Sequence, residues 1–237
     1  MNKKIGIIDS GVGGLSLVQE IKRIGLEANC YYICDHQNVP YGGKTQQFML
    51  EQSLKMVAAL KLKEVSLILL ACNTLTVETI EDLRKLYPEL QFVGIEPFIN
   101  YLNHPSGNGK QNVGLILTEA TFNSKRFKNL QLKHDPNSKI KVVPLKNLAL
   151  LIEQKISSDI NVDKEIDNEL NILKEFEFDH LILGCTHYPL IAEYIESYLR
   201  VMAIDPHLQV IQQLAKLSGL PVGNPINDIQ FSSNLGD

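Results

Sequence analysis

Two cysteines of the chain directly follow short apolar stretches that are typical of buried strands. Cys72 follows SLILLA at 66–71, and Cys185 follows HLILG at 180–184. Each is succeeded by hydrogen-bonding side chains at a point where a helix begins. A helix N-terminus or a nearby histidine lowers the pKa of a thiol from about 8.5 toward neutrality. A single cysteine of this kind is more typical of a small buried side chain, but the matched pair predicts two thiols that act as bases or nucleophiles.

Three further predicted strands also end in residues capable of chemistry. In open parallel α/β sheets, ligands bind beyond the carboxyl ends of the strands. Because five strand ends carry small or reactive side chains, we expect them to converge on one polar site. The residues concerned are Asp9, Ser10, Asp35, Tyr41, Gly42, Cys72, Asn73, Thr74, Thr118, Thr121, Cys185, Thr186 and His187.

Other ligand classes have weaker support. The glycine-rich stretch DSGVGG at 9–14 lacks the G-x-G-x-x-G spacing and the Walker lysine, which disfavours a nucleotide. Its backbone N–H groups could instead bind a carboxylate, and a plain tight turn is the alternative. His187 has only Cys185 beside it, so no zinc site is predicted. Cys30 and Cys34 are interpreted as buried thiols rather than metal ligands.

The elements that position these residues alternate between apolar runs and helical patterns. Strands are predicted at 4–10, 30–35, 66–71, 91–96, 112–117, 140–145, 180–185, 201–206 and 229–234. Helices are predicted at 15–24, 45–60, 77–87, 122–130, 189–200, once or twice within 148–176, and once more near the end. This order, with near-continuous apolar strands, predicts an α/β fold with mainly parallel sheets flanked by helices.

The alternation restarts after NHPSGNGKQN at 103–112, a stretch rich in turn-forming residues. The two cysteine-terminated strands also repeat one another about half a chain apart. We therefore expect two similar α/β halves with the active site between them. The first domain is predicted to span 1–97 plus about 208–237, and the second to span 98–207.

Composition limits the class of protein. The 237 residues are 44% hydrophobic and 21% charged, as in ordinary globular proteins, and the formal net charge of −4 disfavours nucleic acid as a partner. No run approaches the roughly 20 apolar residues that span a bilayer. The apolar run 5–8 is too short for a signal peptide, so the cytoplasm is the expected compartment, with free thiols. His104, His134 and His207 are expected at the surface.

Taken together, the motifs resemble the aspartate/glutamate racemase superfamily, and within it the cofactor-independent glutamate racemases. The resemblance runs from residue 5 to about 205, with the motifs in the family's order. The matching motifs are DSGVGGLS (9–16), D-x-x-x-V-P-Y-G (35–42), ACNT (71–74), G-I-x-P (94–97), T-x-x-T-x-x-S (118–124) and GCTHYPL (184–190).

This resemblance implies a role for each candidate residue. Cys72 and Cys185 would be acid/base thiols on opposite faces of the substrate's α-carbon, because a single base would return the proton to the face it left. Asp9 would assist Cys72, and His187 would assist Cys185. Gly184 would make room for the substrate. Substrate binding would fall to Ser10, Tyr41, Gly42, Asn73, Thr74, Thr118, Thr121 and Thr186, and proton handling to Asp35 and Glu153.

The implied activity is the interconversion of L- and D-glutamate without a cofactor, which supplies D-glutamate for peptidoglycan, cell wall biogenesis and cell shape. The implied partner is the amino-acid substrate alone, and a homodimer is compatible with the sequence. Leu75 and Phe98 are bulkier than the family's usual residues, so an aspartate or broad-specificity racemase is the alternative. A silent binding protein is a third reading. A pyridoxal-phosphate racemase would need a lysine at a strand end, where none occurs.

Overall fold

Strands and helices alternate along the chain in a computed structural model that describes residues 4–26, 28–220, 223 and 229–232. The strands are β1 (Lys4–Asp9), β2 (Asn29–Cys34), β3 (Leu67–Leu70), β4 (Gln91–Gly94), β5 (Val113–Thr118), β6 (Lys141–Leu145), β7 (His180–Leu183), β8 (Met202–Ile204) and β9 (Ile229–Ser232). The α-helices are α1 (Gly14–Ile24), α2 (Gln46–Leu62), α3 (Asn73–Leu86), α4 (Glu119–Asn123), α5 (Lys125–His134), α6 (Leu148–Ser157), α7 (Asp163–Asn171), α8 (Ala192–Leu199) and α9 (His207–Ser218).

The strands form two parallel sheets. The first has the order β4-β3-β1-β2-β9, and the second has the order β6-β5-β7-β8. Every paired strand runs parallel to its neighbour. The predicted fold class, two α/β halves with parallel sheets and flanking helices, is confirmed. The predicted domain boundaries stay a prediction, although α9 packs against α1 and β4 of the first half.

Strands β1, β2, β3 and β4 of the first sheet bury side chains on both of their faces. Ile7 packs with Leu17 of α1 and Leu214 of α9, whereas Ile8 belongs to a separate core with Met56 of α2. Successive side chains of a strand point to opposite faces, so helices cover both. This double burial explains why the strands appear as continuous apolar runs rather than as alternating patterns.

Helix boundaries differ from the prediction where side chains cap the backbone. The helix expected at 77–87 begins at Asn73, because the Cys72 sulfur accepts a hydrogen bond from the Leu75 amide at 3.5 Å. The single helix expected at 122–130 is two, α4 and α5, which meet at Ser124. The Ser124 hydroxyl accepts from the Phe127 amide at 3.1 Å and starts α5. Such caps satisfy amide groups that the first helical turn leaves unpaired.

In the part of the chain that the structure describes, none of the helices combines the length and the apolar character needed to cross a membrane.

Candidate active site

Cys72 lies at the carboxyl end of β3, where it caps α3. The side chain is 6% exposed, and the hydroxyl of Ser10 donates to its sulfur at 3.3 Å. Burial raises the pKa of the Cys72 thiol to about 12, and the nearby charge of Asp9 adds to the effect. The hydrogen bonds from Ser10 and the Leu75 amide oppose this rise without cancelling it. At neutral pH, Cys72 is therefore a protonated thiol, and the lowered pKa expected from its place at a helix N-terminus is wrong.

Asp9, at the end of the neighbouring strand β1, is fully buried. Its Oδ2 accepts from the amides of Gly14 at 2.7 Å and Gly11 at 3.2 Å, and from the Tyr32 hydroxyl at 3.2 Å. Its Oδ1 is buried without a hydrogen-bond partner among the described residues. Burial raises the pKa of Asp9, while the charge of His187 and the backbone amides partly offset that rise. Asp9 thus fixes the glycine-rich turn and acts on Cys72 through its charge.

Cys185 begins a chain of polar contacts that leads through His187 to Glu153. Its sulfur lies 3.8 Å from Nδ1 of His187, and Nε2 of His187 lies 2.7 Å from Oε2 of Glu153. Burial disfavours a charged imidazole, but the hydrogen bonds to Cys185 and Glu153 outweigh burial and raise the pKa of His187 to about 10. His187 is therefore an imidazolium at neutral pH, next to the thiol and held by a carboxylate.

Glu153 is held from several sides. Its Oε2 also accepts from the Val12 amide at 3.0 Å, so it links the second half to the glycine-rich turn of the first. Its Oε1 accepts from the Ser157 hydroxyl at 3.0 Å and lies 3.9 Å from Nδ1 of His36. Burial alone would raise the pKa of Glu153, but the His187 and Val12 hydrogen bonds prevail and lower it. Glu153 is thus an ionised partner for the imidazolium.

The glycine-rich turn touches the second half so closely that a side chain would not fit. A Cβ at Gly13 would lie 2.5 Å from Nδ1 of His187 and 2.7 Å from the hydroxyl oxygen of Thr186. Gly13 itself has helical φ and ψ of −56° and −42°, so this position needs a glycine for space rather than for backbone freedom.

Three threonine hydroxyls join the two halves near the strand ends. Thr74 Oγ1 lies 2.9 Å from Thr118 Oγ1 and 3.3 Å from Thr121 Oγ1, and Thr118 donates to Thr121 at 2.9 Å. Thr118 also caps α4, because its hydroxyl accepts from the Thr121 amide at 3.2 Å. Several hydroxyl groups in contact can rearrange their protons, so they can offer donors to an anionic group.

Two other predicted binding residues present unsatisfied polar atoms. The amide oxygen and nitrogen of Asn73 are buried without hydrogen-bond partners among the described residues, and so is the hydroxyl of Thr186. Asn73 and Thr186 are each 1% exposed. Because buried polar groups normally have partners, these atoms are free to bind a polar ligand.

Asp35 contacts Tyr41 rather than a thiol. The Tyr41 hydroxyl donates to Asp35 Oδ2 at 2.8 Å, and the Asn38 amide donates to the same carboxylate at 2.9 Å. Burial and the Asp35 hydrogen bond raise the pKa of Tyr41 far above its usual value, so Tyr41 stays protonated. A Cβ at Gly42 would lie 3.8 Å from Thr118, which puts this loop beside the threonine hydroxyls.

Two further sequence-based expectations are wrong. A Cβ at Gly184 would lie 2.7 Å from the carbonyl oxygen of Ile116, so this glycine allows close approach to β5 rather than room for a ligand. His207, expected at the surface, is 2% exposed and contacts Asp205 and Ser16. Its sequence context gives no signal of burial, because Ser16 comes from another part of the chain.

The two-sheet fold, with Cys72 and Cys185 at strand ends of different sheets, is the arrangement expected of an isomerase of the amino-acid racemase class. The chain belongs to the Asp/Glu/Hydantoin racemase family, whose model matches residues 6–214.

Individual relatives agree with this family. The glutamate racemase of Clostridium botulinum is 33% identical over 217 residues, which cover 91% of this chain and 83% of the relative. Two solved structures superpose closely. Glutamate racemase from Francisella tularensis in complex with D-glutamate is 28% identical with a TM-score of 0.77, covering 97% of this chain and 87% of that one. The Escherichia coli enzyme, solved with L-glutamate and the activator UDP-MurNAc-ala, is 25% identical with a TM-score of 0.81, covering 98% and 89%.

Proposed function

We propose that the chain interconverts L- and D-glutamate by acid/base catalysis with two thiols and no cofactor. The observation that carries the proposal is the arrangement of the two cysteines. Cys72 and Cys185 follow strands of different sheets, and each has its own charged neighbour, Asp9 for the first and His187 for the second. The two sulfurs are also close enough for the charge of Cys185 to raise the pKa of Cys72. Such thiols can flank one substrate carbon.

The surroundings of the two thiols fit one starting arrangement. Cys72 carries a proton, because burial raises its pKa to about 12. The sulfur of Cys185 lies 3.8 Å from Nδ1 of the His187 imidazolium, a cation suited to pair with a thiolate during the reaction. In one direction, the Cys185 thiolate removes the α-proton, and the Cys72 thiol delivers its proton to the opposite face of the resulting carbanion. One C–H bond is broken and one is formed. At the end of the step, Cys185 carries the proton and Cys72 is the thiolate. The reverse direction uses the opposite starting state.

The unsatisfied polar atoms suit a zwitterionic dicarboxylate. The Asn73 amide and the Thr186 hydroxyl lie next in sequence to the two cysteines and lack partners among the described residues. They are suited to hold the α-ammonium and α-carboxylate close to the thiols. The remaining polar contacts to the substrate would come from a group of hydroxyl and loop residues. These are Thr74, Thr118, Thr121, Ser10, Tyr41 and Gly42. Asp35 would act indirectly, by orienting Tyr41.

Glutamate is the favoured substrate because the curated relatives with about 30% identity over most of the chain are glutamate racemases. An aspartate or broad-specificity racemase is the second candidate. Leu75, which belongs to the same buried cluster as Cys72, is the observation that favours it. Phe98 gives it less support, since this ring packs against Tyr101 and His104 in another cluster.

In the cell, this activity would supply D-glutamate for peptidoglycan synthesis in the cytoplasm and so support cell wall biogenesis and cell shape. The relatives named glutamate racemase support this role. A homodimer remains a separate proposal, to be tested by the mass of the protein in solution.

A racemisation assay over several L-amino acids tests the proposal. We expect glutamate to be converted fastest, without added pyridoxal phosphate, and aspartate outpacing glutamate would favour the second candidate. In Cys72→Ala and in Cys185→Ala, kcat should fall by about a thousandfold or more, because removal of an acid or base costs on that order. Cys30→Ala, which removes a buried thiol of β2 outside the site, is the control. Full activity in both site variants would refute the mechanism.

A further inference from the structure

His207 is the first residue of α9, and it connects three separate parts of the chain. Its Nδ1 lies 3.0 Å from Oδ2 of Asp205, and its Nε2 lies 3.4 Å from the hydroxyl oxygen of Ser16 on α1. The same hydroxyl lies 2.6 Å from the carbonyl oxygen of Gly13 and 3.0 Å from that of Thr186. His207 and Ser16 are 2% and 7% exposed. Three polar groups therefore meet around one buried hydroxyl.

The hydrogen-bonding capacity of these groups fixes the direction of each contact. The Ser16 hydroxyl has one proton, and the carbonyls of Gly13 and Thr186 can only accept it. Nε2 of His207 must then donate to the Ser16 oxygen. The proton on Nε2 thus lets His207 hold the Ser16 oxygen, while Nδ1 lies against the Asp205 carboxylate.

The contact with Thr186 reaches the second thiol. Thr186 lies between Cys185 and His187, and its carbonyl is held by a hydroxyl from the opposite half of the fold. The Gly13 carbonyl, which shares that hydroxyl, belongs to the turn that lies against His187 and Thr186. His207 thereby orients Ser16, and Ser16 holds the loop that carries Cys185 against the first half.

We propose that His207 is a positioning residue for Cys185, acting through Ser16 and the Thr186 carbonyl, and that it has no comparable effect on Cys72. The inference rests on the proposed two-thiol racemisation. Cys72 has its own support from Ser10 and from the start of α3, neither of which contacts His207 through a hydrogen bond among the described residues. Loss of His207 should therefore weaken proton transfer at one face of the substrate more than at the other.

Primary isotope effects with α-deuterated L- and D-glutamate test this asymmetry. In the direction in which Cys185 removes the α-proton, misplacing Cys185 makes that step more rate-limiting and raises the isotope effect on kcat/KM. In the other direction, Cys72 removes the α-proton and Cys185 delivers one, so the isotope effect falls. A general loss of folding or of substrate binding would not shift the two directions in opposite senses.

Three variants make the experiment decisive. His207→Leu should lower kcat by about tenfold or more, since small misplacements of reacting groups are costly, and should separate the two isotope effects. His207→Gln retains a side-chain N–H that can reach Ser16 and should restore most of the activity. Ser16→Ala, which leaves His207 in place, should reproduce the asymmetry even if His207→Leu folds poorly. Gln212→Ala on the exposed face of α9 is the control.

The outcomes separate the two hypotheses. A wild-type protein that does not racemise glutamate refutes the proposed function. The second outcome is a wild-type protein that racemises glutamate with normal isotope effects in both directions. If His207→Leu and Ser16→Ala then change both isotope effects equally or not at all, only the proposed role of His207 is refuted.

Discussion

Glu153 lies 2.7 Å from Nε2 of His187, although 34 residues separate the two along the chain. The carboxylate comes from α6 and the imidazole from the loop after β7, so their meeting depends on how α6 packs beside the second sheet. Both side chains are nearly inaccessible, at 7% and 3% exposure. A buried ion pair of this kind holds the imidazole in one orientation and keeps its second nitrogen directed at Cys185.

Glu153→Gln should shift the pH dependence of catalysis. Without the carboxylate, less stabilisation of the imidazolium remains, so the pKa of His187 should fall from about 10. The alkaline limb of the kcat/KM profile should move to lower pH, and kcat should fall on the order of 10- to 100-fold because the ring is less well oriented. Ser157→Ala, which removes a partner of the other carboxylate oxygen, is the matched control. An unmoved alkaline limb in Glu153→Gln would contradict this account.

The stability of the protein should also depend on His187. Its folded-state pKa is raised to about 10 from 6.5, so the folded state retains a proton that the unfolded chain loses between these values. The stabilisation is fully present below pH 6.5 and disappears as the pH rises toward 10, at a rate of at most about 1.4 kcal/mol per pH unit. Urea unfolding of wild type and His187→Gln at a series of pH values measures the difference. If the difference in unfolding free energy between wild type and His187→Gln grew with pH, the prediction would be contradicted.

Gly13→Ala should abolish most activity while the chain still folds. Ala is compatible with the helical backbone of Gly13, but its methyl group would collide with His187 and Thr186. The displaced imidazole should lower kcat by roughly a hundredfold. Gly43→Ala provides the comparison, since a Cβ there meets nothing within 4 Å and should leave the rate unchanged. Circular dichroism should give the same spectrum for both variants.

Thr118→Val should affect stability and substrate binding together. The change keeps the shape of the side chain but removes the α4 cap and the central hydroxyl of the threonine group. Loss of a cap costs about 1 kcal/mol, and KM for glutamate should rise because a donor is missing. Thr118→Ser retains the hydroxyl and should recover both properties. If Thr118→Val raised the denaturation midpoint, the capping role would be wrong.

The sequence predicts the sheets well because their central strands, β1, β3, β5 and β7, are buried on both faces. The runs that end at Cys72 and Cys185 are too apolar and too short for any other element, and parallel pairing then brings their carboxyl ends to one side. Helix starts are harder to predict. At Cys72 the capping atom is a sulfur, and cysteine is not among the usual capping residues, so the sequence predicts the start of α3 four residues too late.

Long-range contacts explain what sequence patterns miss. Glu153 could be nominated only through resemblance to a family, since nothing near it in the chain indicates a histidine partner. His207 follows a proline and an aspartate, a context typical of the surface, yet α1 covers it from the other end of the sequence. Gly184 illustrates the same limitation, because the carbonyl that excludes a side chain belongs to β5.

The division of the two thiols between separate sheets has a consequence for the origin of the activity. Either half alone would carry only one of the two cysteines proposed to act on the substrate, Cys72 or Cys185, and could, at most, exchange the α-hydrogen of an amino acid with solvent while preserving its handedness. Under the proposed two-thiol mechanism, inversion of configuration requires both halves to enclose the same carbon atom. The stereochemical outcome would then be a property of the assembled chain that no single loop or motif contains.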